Sequence, residues 1–222
     1  MTQITLFNNL EARGLAGPKR SLPKFVSTLA DLPWPENGGG KIRRGANRWY
    51  KTQPVSKMPE VLTSQPGWNP HEDSHLYLWV TNNYFKAGIW VMEQVGFRFI
   101  HPITWAKSES GIGQYRAGQT EHLLFGVRGK DQRPCKTGRK LLAHTTLLGG
   151  KIIPQSSTHS EKPIEQYYDV EGVSPGPYVE LFARSMRHPG WHYCGYLDGE
   201  GEPLALAKKN KNGSERRYSL PT

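Results

Sequence analysis

The sequence predicts an α/β fold, a β-sheet with helices packed on it and with reactive loops at the strand ends, where ligands sit in doubly wound architectures. Three observations lead there. Short apolar and β-branched runs bounded by Gly, Pro, Asn or Ser recur along the chain, as buried strands do. Between them stand one or two stretches with the 3.6-residue apolar spacing of a helix. The length of 222 residues fits one such domain, and a chain of this size buries roughly 70% of its unfolded surface without needing cross-links.

Lys24–Ala30 is predicted as the first strand, ended abruptly by Pro33 and Pro35. From Glu36 to Arg48 no apolar period exists, and Gly38-Gly39-Gly40 with Lys41, Arg43, Arg44 and Arg48 reads as a long basic loop, a length that in compact domains usually signals function. His75–Val80 is a second buried strand, followed by a helix over Tyr84–Val95. Phe85, Ile89, Met92 and Val95 supply its apolar face and Gly96 its C-terminal stop. Phe97–Trp105 and Glu121–Val127 are further strands, joined by the Gly-rich segment Ser108–Thr120. Beyond a basic loop at Lys130–Lys140, Ile152-Ile153 reads as a brief strand. Pro163 suits the first position of a helix over Pro163–Glu171, with Glu161 and Glu165 near its positive end. Ser174-Pro175-Gly176-Pro177 is a turn, and Tyr178–Ala183 and Trp191–Gly195 are the last strands. A single domain over 1–200 is therefore expected, with 201–222 as a basic, flexible tail.

Lys and Arg number 29 against 19 Asp and Glu, a formal net charge of +10. The excess, gathered in turn-rich stretches, favours a polyanionic partner, because each phosphate neutralised releases condensed counterions. Cys135 and Cys194 are too few and too far apart for a disulfide framework, which points to a reducing compartment. No window approaches the roughly 18 apolar residues of a membrane helix, and the N-terminal stretch lacks a signal-peptide pattern. A cytoplasmic protein with no membrane partner is the expectation.

Several chemistries are excluded. Gly40-Lys41 and Gly150-Lys151 are not followed by Ser or Thr, so neither is a P-loop, and Gly111-Ile112-Gly113 has Arg116 where a dinucleotide-binding loop needs its third Gly. No Gly-x-Ser-x-Gly elbow occurs. His188, His192 and Cys194 lack a fourth zinc ligand at familiar spacing, so no metal is assigned. His75, His101, His122 and His144 read as hydrogen-bonded or surface residues.

The sharpest signal is Asp31-Leu32-Pro33-Trp34 at the end of the first strand. A carboxylate, a backbone carbonyl on a Pro-stiffened turn and an aromatic plane lie within four residues, a set that suits a planar amine. A flipped adenine could stack on Trp34 while its amino hydrogens go to the Asp31 carboxylate and the Leu32 carbonyl, exposing the nitrogen lone pair.

Here the sequence resembles the family of the eukaryotic messenger-RNA N6-adenosine methyltransferase catalytic subunit and its short bacterial and phage relatives, whose signature is Asp-Pro-Pro-Trp. Further motifs follow in the family's order: Leu78-Trp79-Val80-Thr81-Asn82, Trp105-Ala106-Lys107, Glu121-His122-Leu123-Leu124-Phe125-Gly126-Val127-Arg128-Gly129, His159-Ser160-Glu161-Lys162-Pro163, Ser174-Pro175-Gly176, Glu180-Leu181-Phe182-Ala183-Arg184 and Trp191. The resemblance implies a Rossmann-like methyltransferase fold, a mixed central sheet flanked by helices, with S-adenosylmethionine as cofactor. It places Asp31, Leu32, Pro33 and Trp34 at the target amine, and Asp31, Lys162, Glu180, Phe182 and Arg184 at the cofactor. Lys162 would meet the cofactor's carboxylate, and Glu180 and Arg184 its adenosine or ribose. Leu32 stands where the family has its first Pro, and Tyr196 where it often has an Asn for ribose contact.

The implied reaction is direct methyl transfer to N6 of a flipped adenine, expected in DNA because the chain lacks the extra domains of the large eukaryotic RNA enzymes. Lys41, Arg43, Arg44, Arg48, Tyr50, Tyr115 and Arg116 would grip the nucleic acid, cations on phosphates and rings on exposed bases. Target specificity is expected to be relaxed, read by the loops, or shared across a homodimer or with a partner subunit. The alternatives are RNA adenine methylation by the same chemistry and a noncatalytic nucleic-acid-binding partner. Protein glutamine methylation, a third, is disfavoured by the Glu180–Arg184 stretch.

Overall fold

The computed structural model describes residues 22–35, 52–111, 117–130, 152–154, 161–183 and 187–195. Six strands form one mixed sheet: β1 (Phe25–Ala30), β2 (Pro70–Thr81), β3 (Arg98–Gly111), β4 (Gly118–Arg128), β5 (Tyr178–Ala183) and β6 (Trp191–Gly195). Their spatial order is β3-β4-β2-β1-β5-β6. β1 runs parallel to both β2 and β5, and β5 parallel to β6, whereas β4 is antiparallel to β2 and to β3. The α/β architecture predicted from the sequence is the one found.

Both faces of the sheet are covered, which is why β2 reads from Leu76 to Val80 as a continuous apolar run rather than an alternating one. On β2, Leu76, Leu78 and Val80 join one core, and Tyr77 and Trp79 join the other. The first core lies under α1 (Met58–Thr63) and α2 (Phe85–Gln94), the second under α3 (Glu165–Val173).

Helix α2 ends as its sequence predicts. Gly96 takes φ +86°, its N–H goes to the Glu93 carbonyl at 3.1 Å, and the Phe97 N–H goes to the Met92 carbonyl at 2.9 Å. This paired closure satisfies carbonyls the helix cannot. The fully buried face is Gly88, Val91 and Met92, with Phe85, Ile89 and Val95 packed at its margin. The predicted stripe is therefore rotated by about one position, because Gly88 lets the helix approach the sheet.

Other boundaries differ from expectation for identifiable reasons. β2 begins at Pro70 rather than His75, since its exposed polar start still pairs, Phe25 with Pro70 and Ser74 with Arg128. Much of the Gly-rich segment 108–120 belongs to the β3–β4 hairpin, which pairs out to Gly111 and Gly118. Helix α3 begins at Glu165, so Pro163 precedes its cap residue Ile164 instead of opening the helix. Of Ile152-Ile153 only Ile153 bridges, to Lys107. Helix α1 was not anticipated; its six residues bury only Met58 and Leu62, too little for a periodic signal.

At the N-terminal end of β5 a buried polar knot ties α3 to the sheet. The Ser174 hydroxyl lies 2.5 Å from His75 Nδ1 and 2.6 Å from the Tyr77 hydroxyl, and Tyr178 donates to the Ser174 carbonyl at 2.8 Å. Burial holds the His75 imidazole well down, at about 4, so it is neutral at physiological pH.

Candidate active site

The chain leaves β1 to build β2 on one side and later returns to build β5 on the other. The carboxyl end of β1 is thus the topological switch point, the crevice in which open α/β sheets bind ligands. Asp31 is the first residue beyond it.

The turn after Asp31 is buried from Leu32 through Trp34. Leu32 and Trp34 point into the core and are 1% and 3% exposed. The Trp34 indole N–H donates to the Trp79 carbonyl at 2.9 Å, and its ring stacks on Tyr84, 5.2 Å between centroids and 16° between planes. Tyr84 in turn donates its hydroxyl to the Pro35 carbonyl at 2.6 Å. Asp31 turns the opposite way, and its Oδ2 meets Lys162 Nζ at 2.9 Å.

Lys162, from the segment entering α3, is the hub of a chain of charges. Its Nζ lies 3.2 Å from Glu121 Oε2 on β4 and 5.6 Å from the centre of the Trp79 ring. Lys107 on β3 pairs with the other oxygen of Glu121. Burial pushes the Glu121 carboxyl up, but the charges and hydrogen bonds of Lys162 and Lys107 outweigh it and hold the group below the usual carboxylate range. Glu180 lies on β5 beside Leu29 of β1, and its Oε2 accepts from the Tyr167 hydroxyl at 2.6 Å. Burial raises Glu180 to about 7; the Tyr167 bond opposes the shift, the Asp31 charge adds to it, and Arg187 and Lys162 temper it. The site therefore holds a carboxyl half-ionised at neutral pH beside one that is firmly ionised.

Asp31, Lys162 and Glu180, predicted from separate stretches of sequence, converge here. Two other predicted residues take different roles. Trp34 offers no face to a base, since its ring is occupied by Tyr84 and enclosed in the core, so it anchors the turn instead. Phe182, predicted at the cofactor, is 4% exposed and its ring is part of the apolar core. Its backbone is unusual, with φ +63° where the pairing of β5 with β6 shifts register. A bulky residue in that region stores roughly 1–3 kcal/mol of strain, of the kind held at ligand clamps. The Leu32 carbonyl, assigned to the amine, already accepts from the Trp34 N–H at 2.8 Å, and the Pro33 carbonyl accepts from Gln53 N–H at 3.2 Å. Each carbonyl has a second lone pair for a ligand.

Arg184 and the proposed nucleic-acid contacts Lys41, Arg43, Arg44, Arg48, Tyr50, Tyr115 and Arg116 lie outside the described residues. Lys107, Glu121 and Tyr167 were not foreseen as site residues. Lys107 and Glu121 were legible only as members of motifs, since nothing in either local stretch shows that they face each other. Among the described residues no group of three or more His, Cys, Asp or Glu side chains is placed to hold a metal, and none of their helices is long and apolar enough to cross a membrane.

Comparison with known proteins decides the family. Residues 48–197 match MT-A70, a span that contains Lys107, Glu121, Lys162 and Glu180. The chain belongs to the MT-A70 family. The Asp31 turn precedes the matched span, so its place in the site rests on the geometry just described. A putative MT-A70-like N(6)-adenosine-methyltransferase of Medicago truncatula is 29% identical over 184 residues, covering 78% of this chain and 26% of that protein. The human N(6)-adenosine-methyltransferase catalytic subunit METTL3 is 30% identical over 189 residues, 80% of this chain and 29% of the human one. The zebrafish subunit METTL3 is 30% identical over 213 residues, 90% and 33%. The chain thus spans about a third or less of the length of these MT-A70 relatives.

Proposed function

We propose that this MT-A70 protein is an S-adenosylmethionine-dependent methyltransferase acting on the N6 amino group of adenine in nucleic acid. The observation that carries the reading is the convergence of Asp31, Lys162 and Glu180 at the switch point of the sheet. The donor set fits the cofactor. Four carboxylates, Asp31, Glu121, Glu161 and Glu180, face three cations, Lys107, Lys162 and Arg187, one net negative charge when all are ionised. S-adenosylmethionine carries a carboxylate, an ammonium and a sulfonium, one net positive charge. When bound, it supplies a methyl group already activated by the sulfonium.

The chain's own groups have positioning work. Lys162, beside the N-terminus of α3, provides a cation for a carboxylate, and Glu180 can accept from ribose hydroxyls. Asp31 can accept an N–H of the target amine, orienting its lone pair and taking the proton once the new C–N bond forms. Alignment of two reactants accounts for about 7–11 kcal/mol in well-oriented systems, so a rigid turn is a catalytic asset. The net charge of +10 favours a polyanionic substrate.

The relatives named above are N(6)-adenosine methyltransferases, which favours RNA over the DNA substrate expected from chain length. The name of the human relative, a catalytic subunit, supports a partner for this chain as well. Incubating the protein with cofactor and RNA, single-stranded DNA or duplex DNA, followed by mass spectrometry of the nucleosides, separates these readings. N6-methyladenosine from RNA is expected, lost at least about 100-fold in Asp31→Ala, a far larger loss than that in cofactor affinity, because Lys162 and Glu180 remain. Undiminished turnover in Asp31→Ala would refute the mechanism.

A further inference from the structure

The segment between β5 and β6 carries a contact that the catalytic reading leaves unused. Arg187 Nη1 donates to the backbone carbonyl of Lys162 at 2.6 Å and lies 3.3 Å from Glu161 Oε1. One guanidinium thus grips two consecutive residues of the segment entering α3, the second of which sends its side chain to Asp31 and Glu121. A charge-assisted bond to a backbone carbonyl is among the stronger ways to fix a loop. Arg187 is itself held in place through its neighbour. The His188 ring stacks on Tyr167, 5.1 Å between centroids and 6° between planes, and its Nε2 lies 3.1 Å from Glu171 Oε1. The His188 N–H donates to the Tyr193 hydroxyl at 2.8 Å, and that hydroxyl donates to the His188 carbonyl at 2.7 Å. The same Glu171 oxygen accepts from the Trp191 indole at 2.8 Å. Arg187 therefore leaves a backbone pinned to both α3 and β6.

We propose that Arg187 is a positioning residue, fixing the backbone from which Lys162 projects into the cofactor site. The inference rests on the reading of Lys162 and Glu180 as cofactor-holding groups. It has a second, electrostatic consequence. Glu180 is faced by Tyr167 of α3, Asp31 beyond β1, Lys162 before α3, Tyr193 of β6 and Arg187. Of these, only Lys162 and Arg187 carry the positive charge that favours the Glu180 carboxylate. Removing the Arg187 charge leaves Glu180 protonated to higher pH, so a cofactor that needs the carboxylate binds well only at higher pH.

The test is calorimetric titration of S-adenosylmethionine into the full-length chain between pH 6 and 9, for wild type, Arg187→Gln and Arg187→Lys. Arg187 is 26% exposed at its side chain, so neither change disturbs the core, and thermal melts establish folding. In Arg187→Gln, affinity at pH 7 is expected to fall about tenfold and the midpoint of the acid-side loss of binding to move upward. Arg187→Lys keeps the charge but not the guanidinium geometry, so it is expected to restore the midpoint and only part of the affinity. Wild-type affinity in Arg187→Gln, or reduced affinity with an unmoved midpoint, overturns the proposal. A wild-type protein that binds no S-adenosylmethionine overturns the functional reading on which it rests, and the proposal with it.

Discussion

Trp34 gives its indole N–H to the Trp79 carbonyl and its ring to Tyr84, while Asp31, three residues earlier, presents its carboxylate to Lys162. One short turn holds both core anchors and a carboxylate turned to Lys162, and the two kinds of residue answer to different measurements. Trp34→Phe loses a buried hydrogen bond and part of a packed ring, so chemical denaturation should show about 1–3 kcal/mol less stability, with cofactor affinity changed less than about threefold. A large affinity loss at unchanged stability would instead place the ring at the ligand. At this scale the sequence was partly legible. Asp31 stood out because a carboxylate, a carbonyl on a Pro-stiffened turn and an aromatic plane lie within four residues. Trp34 was misjudged because its residue type suits stacking and core packing equally, and only the direction of its side chain decides. Glu121 and Lys107 were missed because their pairing depends on the register of a hairpin, 14 residues apart in sequence.

At the level of elements, α2 rests on the sheet through Gly88. A Cβ built there would fall 2.5 Å from Val80 Cγ1 and 2.7 Å from Leu124 Cδ1, closer than packed atoms tolerate. Gly88→Ala should gain up to about 1 kcal/mol of helix propensity yet lose more to overpacking, roughly 1–3 kcal/mol. A net stabilisation in denaturant titration would mean that the helix can lift off the sheet freely. The same contact explains why the stripe predicted for α2 was rotated: apolar periodicity counts Phe85 and Ile89 and is blind to a glycine that permits close approach. A strand covered on both faces, such as β2 over Leu76–Val80, was plain in the sequence because burial on two sides leaves an unbroken apolar run. The six-residue α1 was not, since its two buried side chains cannot establish a period. The reach of the β3–β4 hairpin was hidden for another reason, because backbone pairing continues through glycines and polar residues that carry no strand signal.

Across the whole molecule, two buried groups set opposing dependences on pH. Glu180 stands near 7 in the fold, above its unfolded value, so the stability linked to it is complete below about pH 4.5 and is lost as pH rises through 7. His75, held near 4, contributes stability that is complete above about pH 6.5 and is lost as pH falls toward 4. Between pH 7 and 4.5 the two trends offset. Glu180→Gln removes one of them, so the ligand-free variant should be roughly 3 kcal/mol more stable than wild type at pH 8. The gap should shrink to near zero by pH 4.5, as urea denaturation at the two pH values would show; a gap independent of pH would contradict this assignment. Stability and function then conflict at Glu180, because the ionised acid that strains the empty fold is the one a cation stabilises. The anchored turn after β1 has a consequence of its own. Because Leu32, Trp34 and Tyr84 share one core with α1, α2 and the sheet, the described turn after β1 melts together with that core. Heat inactivation should accordingly follow the melting of the entire sheet and be as reversible as that melting.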